Sequence, residues 1–274
     1  MTTPLTSSID SEDLTTFYSD LHHARKVVVI TGAGISVASG IPPFRKSQDA
    51  VWEKTITEKG TWHYFQSHPV ESLKWYLERF SGIDDKLPNP SHYAIRDLEH
   101  WCQQNNKSFQ LVTQNVDGLH GQAGSNHFIE IHGQHHFSRC INPTCTQAAP
   151  QGKINNKALD FKTFLMNPSI STIPRCPLCN HLIRPHILWF DETYDSHEDY
   201  QYEKAIQSFL EADLFLAIGT SFSVGITESA LYFSAQTKST FWALDLEIDP
   251  QVPIDDWLVG KSEKILPALI KGLP

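Results

Sequence analysis

The sequence predicts an α/β fold in which a parallel β-sheet is covered by helices on both faces. Short, almost wholly apolar runs recur along the chain, each bounded by polar or turn residues. Strands this apolar suit a sheet that is buried on both faces. Helix-like segments precede two of the runs, and 274 residues are enough to bury a full hydrophobic core.

The predicted elements follow one another along the chain. From Ser11, apolar residues at Leu14, Phe17 and Leu21 have helical spacing. The run KVVVI, which ends at Ile30, is the first predicted strand. A second predicted helix is SHYAIRDLEHWCQQ, and the other predicted strands are FQLVTQ at 109–114, DLFLAIG at 213–219 and TFWALDLE at 240–247.

Two regions do not fit this alternation of strands and helices. One is polar, aromatic and helix-like, and the other carries four cysteines among Pro, Asn and Gln with little amphipathic period. We interpret both as insertions that together form a smaller lobe. The predicted boundaries place 11–45, 87–134 and 186–274 in the large lobe, and 46–86 and 135–185 in the small one.

Charge and hydropathy exclude several classes of partner. The net charge of −9 and the absence of a basic run argue against a direct nucleic-acid surface. No stretch approaches the ~18 apolar residues of a membrane span, and the first residues lack the basic and apolar regions of a signal peptide. We expect a cytoplasmic protein with no membrane partner.

The cysteines are spaced as in a metal site. Four of the five form two close pairs, Cys140 with Cys145 and Cys176 with Cys179. This spacing favours metal binding over a disulfide framework, although reduced, unliganded cysteines remain an alternative. A four-cysteine site is closed and tetrahedral, so we expect one structural zinc per chain. Cys102 stands apart and is interpreted as a packing residue.

A glycine-rich turn, TGAGISVASGIPPFR, follows the first predicted strand. Gly32 and Gly34 supply two glycines of a dinucleotide fingerprint, but Val37 occupies the third position and the next glycine is Gly40. Small residues after a strand let backbone N–H groups approach a pyrophosphate, whereas a purely structural turn is the alternative. Because the Gly-Ile-Pro-Pro segment cannot continue a helix, it predicts a loop that leads to Phe44 and Arg45.

These features and five further motifs together resemble the sirtuin family of NAD-dependent protein deacylases. The further motifs are TQNVDGLH at 113–120, IHG at 131–133, RPHILWFDE at 184–192, and GTSFSV at 219–224 followed by LDLE at 244–247. They occur in the family's order. The resemblance implies a Rossmann-like parallel sheet with helices on both faces, a smaller lobe with a helical and a zinc-binding insertion, and NAD and zinc as cofactors.

The resemblance also implies the site residues. His132 is the expected general base, because an imidazole accepts a proton from a ribose hydroxyl near neutral pH. The adjacent His135 and His136 are interpreted as bystanders. Asn115 and Asp117 are expected to act beside His132 in catalysis by holding the ribose and the nicotinamide amide. The expected cofactor site comprises Gly32, Ala33, Gly34, Ile35, Ser36, Phe44, Arg45, Gln114, Asn115, Asp117, Gly219, Thr220, Ser221, Asp245 and Glu247.

The expected acyl-peptide site has two parts. In the helical insertion, Tyr76 and Arg79 form the Tyr-x-x-Arg pattern of the sirtuin subgroup that removes succinyl and malonyl groups, with the small Gly60 upstream. At i and i+3 of a helix they share a face and suit a distal carboxylate, although Tyr76 packing and a solvated Arg79 are the alternative. The peptide is expected to contact Ile187, Leu188, Phe190, Asp191 and Glu192.

Two positions depart from the family pattern. Asp191 stands where the family usually has glycine, and Asp245 where it usually has asparagine. A charged side chain at 191 is expected to alter peptide preference or to restrict the backbone. Asp245 is a milder change, since a carboxylate also accepts hydrogen bonds from ribose hydroxyls.

We therefore predict an NAD-dependent lysine deacylase that acts on succinyl-, malonyl- and acetyl-lysine in proteins or peptides. Its products would be nicotinamide and 2'-O-acyl-ADP-ribose. Two alternatives remain open: protein mono-ADP-ribosyl transfer, and a non-catalytic sensor of NAD or ADP-ribose. The oligomeric state is also open, with a monomer among the options.

Overall fold

A computed structural model describes residues 11–42, 58–254 and 256–273. The strands in these ranges are β1 (Lys26–Thr31), β2 (Ser108–Thr113), β3 (Phe128–Glu130), β4 (Gly133–Cys140), β5 (Ile154–Asn155), β6 (Ile183–Ile187), β7 (Leu214–Ile218), β8 (Thr240–Asp245) and β9 (Asp256–Val259). The α-helices are α1 (Ser11–His23), α2 (Trp62–Ser67), α3 (Pro69–Arg79), α4 (Pro90–Gln104), α5 (Leu119–Ala123), α6 (Phe161–Met166), α7 (Tyr202–Leu210), α8 (Gly225–Thr237) and α9 (Ser262–Lys271).

Six strands form one parallel sheet in the order β3-β2-β1-β7-β8-β9. This is the doubly wound order in which the chain leaves β1 in one direction and resumes at β7 in the other. Ligands bind such sheets at the carboxyl ends of the two strands that flank this reversal. The order therefore places the expected site at the ends of β1 and β7.

Both faces of the sheet are buried, as predicted. Val27 and Val29 pack on one side with α1, α4 and α9, whereas Val28 and Ile30 pack on the other with α7 and α8. All four side chains are fully buried. Alternate residues of a strand point to opposite faces, so an unbroken apolar run is what a two-sided core requires. The α/β prediction is confirmed.

The second sheet is small and antiparallel, in the order β5-β4-β6. It lies in the cysteine-rich insertion, where α6 contributes the buried Phe164. Phe164 packs with Leu73 of α3 and with Ile173, so the two insertions share an apolar contact. The lobe boundaries themselves remain a prediction.

The structure has elements that the apolar runs do not indicate. Strand β3 has three residues, β5 has two and β4 has the polar sequence GQHHFSRC, so none carries a strand-like apolar pattern. The strand predicted at 240–247 ends at Asp245, and Asp117 lies in the loop after β2. In the described ranges, no helix is long and apolar enough to cross a lipid bilayer.

Candidate active site

The loops that follow β1 and β7 meet backbone to backbone. A Cβ atom on Gly32 would lie 2.6 Å from the Gly219 oxygen, and one on Gly34 would lie 2.6 Å from the Gly219 Cα. Gly219 has φ +59°, a conformation that side chains disfavour. The Gly34 N–H donates to the Gly219 oxygen at 2.9 Å. These glycines keep side chains away from the strand ends, which leaves a cradle that a dinucleotide fits.

This cradle is one end of a cavity of about 990 Å³, which runs from the strand ends to the helical insertion. The cavity brings together most of the predicted site residues. Those that line it are Gly32, Ala33, Gly34, Ser36, Tyr76, Gln114, Asn115, Asp117, His132, Ile187, Leu188, Phe190, Glu192, Gly219, Thr220, Ser221 and Asp245. A volume of this size is within the range of small-molecule and cofactor sites.

Some predicted residues lie elsewhere. Among the described residues, the cavity lining does not include Ile35, Arg79, Asp191 or Glu247. Ile35 is fully buried, because its apolar side chain packs into the core beneath the turn, in the same cluster as Val27 and Val29 of β1. Glu247 is exposed beyond the end of β8. Phe44 and Arg45 lie outside the described residues.

Ser36, Asn115 and Asp117 hold one another by hydrogen bonds. The Ser36 hydroxyl donates to Asp117 Oδ2 at 2.7 Å, and Asn115 Nδ2 donates to both Ser36 Oγ and the Gly32 oxygen. The second carboxylate oxygen of Asp117 accepts from the Leu119 N–H at the start of α5. The network fixes the loop after β2 against the glycine-rich turn, so both edges of the cavity have set positions.

The orientation and tautomer of His132 are set by a backbone carbonyl. Its Nδ1 lies 2.8 Å from the Gln114 oxygen. A carbonyl oxygen only accepts hydrogen bonds, so Nδ1 carries the proton of the neutral ring and Nε2 carries the lone pair. Nε2 is 3.4 Å from the Tyr194 hydroxyl, and both residues line the cavity. His132 is therefore arranged to accept a proton at Nε2.

Tyr194 is a cavity residue that the motifs do not indicate. Its ring stacks on His132 with centroids 5.9 Å apart, and its hydroxyl accepts the Ile226 N–H at the start of α8. Burial raises the pKa of Tyr194 to about 12, so the phenol stays protonated at neutral pH. The sequence gives no spacing signal for it. Lys261 and Ser262 also line the cavity. Gly260, which lies between an apolar run and the last helix, is the sequence signal that would have indicated a turn at these two residues.

Two further histidines beside the site are buried and, unlike His132, do not line the cavity. The His92 and His120 rings pack in a tilted arrangement, with centroids 4.9 Å apart. Burial lowers the pKa of His92 to about 4 and holds that of His120 well below its usual value. Both rings are neutral at pH 7, and His120 Nε2 contacts the Thr31 hydroxyl at the end of β1. We therefore assign both histidines a structural role, in which they support the ends of the strands.

The Glu192 carboxylate is engaged by two buried arginines. Its Oε1 lies 3.0 Å from Arg139 and its Oε2 lies 2.8 Å from Arg184. The Trp189 N–H also donates to Oε2, and the Arg184 guanidinium lies 3.6 Å from the Trp189 ring centroid. These contacts lower the pKa of Glu192 against the opposing effect of burial. The carboxylate thereby fixes the segment that leads into the cavity.

Asp191, the departure from the family pattern, caps a helix from a distant part of the chain. Its carboxylate accepts the backbone N–H groups of Trp62 at 2.7 Å and His63 at 3.0 Å, the first two residues of α2. The Phe190 N–H donates to the Gly60 oxygen beside them. The charge lies at the positive end of the helix. A glycine at this position would leave both N–H groups without that acceptor.

We predict that Asp191→Gly lowers the free energy of unfolding by about 1 kcal/mol, the usual cost of losing a cap. Urea unfolding followed by circular dichroism measures this change. Asp195→Ala is the matched control, because Asp195 is an exposed aspartate that accepts from Thr193 within its own turn. Equal losses in the two variants would contradict the capping role.

The four paired cysteines meet in one cluster. The Sγ atoms of Cys140 and Cys179 are 3.4 Å apart, those of Cys145 and Cys176 are 3.7 Å apart, and all four lie within 4.8 Å of one another. The Asn142 and Gln147 N–H groups point at two of the sulfurs. Four thiolates at these separations fit the tetrahedral coordination of zinc, with bonds of about 2.3 Å and no open position.

Comparison with known proteins gives relatives for nearly the whole chain. The family model described as the Sir2 family matches residues 32–225. An NAD-dependent protein deacylase of Leptospira interrogans serogroup Icterohaemorrhagiae serovar Lai (strain 56601) is 37% identical over 255 residues, covering 91% of this chain and 93% of that protein.

Two further relatives also match most of the chain. The mitochondrial NAD-dependent protein deacylase sirtuin-5 of Danio rerio is 34% identical over 242 residues, covering 84% of this chain and 75% of that protein. A solved complex of Sir2 with a p53 peptide and NAD+ has a TM-score of 0.75 and 26% identity, covering 94% of this chain and 97% of that one.

Proposed function

Because the chain belongs to the Sir2, or sirtuin, family, we propose that its cavity binds NAD together with an acylated lysine and catalyses NAD-dependent lysine deacylation. The family match covers residues 32–225, and curated relatives at 32–37% identity carry the name NAD-dependent protein deacylase. NAD supplies the ribose whose bond to nicotinamide is broken and which takes up the acyl group. The residues of this chain provide binding, orientation and proton transfer.

Those residues bind, orient and move a proton. The glycines of the β1 and β7 turns let backbone N–H groups approach a pyrophosphate, because no Cβ intervenes. Asp117 and Asn115, held by Ser36, present hydrogen-bonding groups from a fixed loop. His132 accepts the proton of a ribose hydroxyl at Nε2 and is kept in that tautomer by the Gln114 carbonyl.

One observation carries the proposal: the lone-pair nitrogen of His132 belongs to the same cavity as the glycine cradle and the Asn115–Asp117 loop. The test uses purified protein, NAD and peptides that carry acetyl-, malonyl- or succinyl-lysine, with the products identified by mass spectrometry. Deacylated peptide with acyl-ADP-ribose supports the proposal. ADP-ribosylated protein would instead indicate transferase activity, and binding without turnover would indicate a sensor.

We extend the proposal to the substrates and the cellular compartment of the enzyme. The substrates are acylated lysines in proteins or peptides, and the solved Sir2 complex with a p53 peptide supports this class of partner. The helical insertion lines one end of the cavity through Gly60, Trp75, Tyr76 and Phe80. The five cysteines are free of disulfides, as a reducing, cytoplasmic compartment would keep them. Direct nucleic-acid partners are not part of the proposal.

The cavity end near α3 suits an acyl group with a terminal carboxylate. Tyr76 is 6% exposed and lines the cavity, and its hydroxyl has no hydrogen-bond partner among the described residues. Burial raises the pKa of Tyr76, so the phenol is a donor. Arg79 lies one helical turn away and is half-buried, which lowers its pKa through desolvation. An incoming carboxylate would satisfy the Tyr76 hydroxyl and pair with Arg79.

We predict that Arg79→Met lowers kcat/KM for a succinyl peptide by about 30- to 150-fold, the equivalent of the ~2–3 kcal/mol of a hydrogen bond to a charged group. Turnover of the acetyl peptide should change little. Tyr76→Phe should also reduce succinyl turnover, without loss of stability, because the hydroxyl it removes has no partner among the described residues. Steady-state kinetics with both peptides and a thermal unfolding curve measure these effects.

The matched control is Lys74→Met on the same helix. Lys74 is exposed and pairs with Glu78 at 3.6 Å, so this variant removes the same charge from α3 at a solvent-exposed position. It should leave both turnover rates near those of the wild type. Equal losses of succinyl and acetyl turnover in Arg79→Met would make Arg79 a structural residue. In that case deacylation itself would still stand.

A further inference from the structure

Beside the cavity, two histidines and an aspartate converge on one point. His135 Nε2 lies 2.9 Å from Asp84 Oδ1, and His136 Nδ1 lies 3.1 Å from the same oxygen. The three ligand atoms lie within 4.8 Å of one another. The motifs give these histidines no role, since they follow the catalytic IHG segment. We call them, with Asp84, the His-His-Asp cluster.

The tautomer of His135 makes this arrangement informative. Its Nδ1 lies 2.6 Å from the Val116 oxygen, so Nδ1 donates its proton to that carbonyl. In the neutral ring, the lone pair of Nε2 then faces the carboxylate oxygen of Asp84. Two acceptors 2.9 Å apart repel each other unless a cation lies between them. That cation is either a second proton on His135 or a metal ion.

An irregularity in β4, rather than regular strand geometry, brings the two adjacent imidazoles to the same side. Neighbouring residues of a strand normally point to opposite faces. The pairing of β4 with β6 shifts register between Gly133 and Ser138, and the rings of His135 and His136 lie with centroids only 3.7 Å apart. The His136 ring also lies over Gly118, where a Cβ would be 3.2 Å from Nε2. Both imidazoles thus face Asp84.

We propose that the His-His-Asp cluster is a second metal site, for Zn²⁺ or a similar divalent transition ion. Imidazole nitrogen and carboxylate oxygen are ligands that zinc prefers, and ligands at about 2.1 Å in tetrahedral geometry are about 3.4 Å apart. The two distances from the histidine nitrogens to Asp84 Oδ1 need to widen by only a few tenths of an ångström. The Val116 carbonyl accepts the Nδ1 proton of His135 and so fixes the orientation of the ring, as hydrogen-bond acceptors do beside the histidine ligands of established metal sites.

The exposure of the three ligand side chains indicates whether a bound metal could exchange with solvent. The Asp84 side chain is 75% exposed, that of His136 39% and that of His135 6%. Three protein ligands with one open side describe an exchangeable site, unlike the closed four-cysteine cluster. Asp84 belongs to the turn Ile83–Asp85 after α3, and Phe80 of the same segment stacks on His135. A bound ion would therefore tie the helical insertion to the strand that follows His132.

In a second group of this kind, His186 with His197 and Asp199, a lysine of the chain already supplies the cation. The Lys153 ammonium lies 2.5 Å from Asp199 Oδ2 and provides the positive charge that the carboxylate needs. His197 Nε2 contacts the Gly152 oxygen, and its Nδ1 accepts the Asp199 N–H. A metal would have to displace the lysine and break these hydrogen bonds. We therefore assign the site to the His-His-Asp cluster alone.

The test is to titrate Zn²⁺ by calorimetry into protein that already contains one zinc per chain. The four-cysteine site is then saturated with the same ion and contributes no heat. We expect the wild type to bind one further Zn²⁺, and Asp84→Asn and His136→Ala to bind it at least about tenfold more weakly. Zn²⁺ should also raise the Tm of the wild type but not of these variants.

His22→Ala is the matched control. His22 and His23 are also adjacent in the chain but are both exposed, with ring centroids 5.5 Å apart and outside the metal-compatible clusters of the described residues. This variant should bind the second Zn²⁺ like the wild type. The proposal is overturned if the wild type takes up no further Zn²⁺, if His136→Ala keeps the wild-type affinity, or if His22→Ala loses as much. Melting curves without added metal establish that each variant is folded.

Discussion

Replacing His132 with alanine is expected to lower kcat for deacylation by about 10²- to 10⁴-fold, the usual contribution of a general base. The Gln114 carbonyl holds His132 with its lone pair on Nε2, so the variant removes the proton acceptor from the cavity. The glycine cradle and the Ser36–Asn115–Asp117 network do not depend on this imidazole. NAD affinity should therefore change far less than turnover.

Rates from single-turnover kinetics and NAD affinity from calorimetry separate these effects. His22→Ala again serves as the control, since it removes an exposed imidazole that does not line the cavity. A His132→Ala enzyme that turns over as fast as the wild type would refute the role of the base. If turnover and NAD affinity fell together, the histidine would be acting through the shape of the site.

Removal of zinc should unfold the protein, rather than only inhibit it. Structural zinc sites have apparent binding free energies of about 10–16 kcal/mol, as large as the ~5–15 kcal/mol that stabilises a whole domain. Cys140 and Cys176 are almost fully buried, and their cluster includes Ala148, Ile154 and Ile183. Without the ion, this small core loses the four zinc–sulfur bonds that join its two cysteine pairs.

Chelation, zinc analysis and circular dichroism test this prediction, with Cys176→Ser as the variant. Cys102→Ala is the control, because Cys102 is buried in the main core and burial raises the pKa of its thiol to about 12. Cys102→Ala should keep one zinc per chain, whereas Cys176→Ser should lose zinc and melt at a lower temperature. A zinc-free protein that kept its wild-type Tm and lost only activity would contradict a structural role.

Zinc occupancy also bears on the proposed second site. The titration of the His-His-Asp cluster depends on a filled four-cysteine site, so zinc analysis of the starting protein comes first. In Cys102→Ala both sites should be intact. The two sites then differ in one measurable property: chelator removes the exposed ion first, while the fold persists until the thiolate-bound ion is lost.

The sequence by itself determined the parts of this protein that depend on local pattern. The runs at β1, β2, β7 and β8 are apolar on both faces, so they predict buried parallel strands without knowledge of their neighbours. The helices α1 and α4 follow from apolar spacing. The cysteine spacing and the motifs around Gly32 and His132 are likewise contained in short segments.

Only the tertiary structure decided the contacts between distant segments. Strand β3 is three residues long and is defined by its pairing with β2, since its own sequence is too short to carry a pattern. Asp191 reaches Trp62 across 129 positions, and Asp84 meets His135 across 51. Tyr194 stacks on His132 from a turn that no motif marks. Such interactions depend on three-dimensional distance, and sequence periodicity records only each residue's relation to its nearest neighbours along the chain.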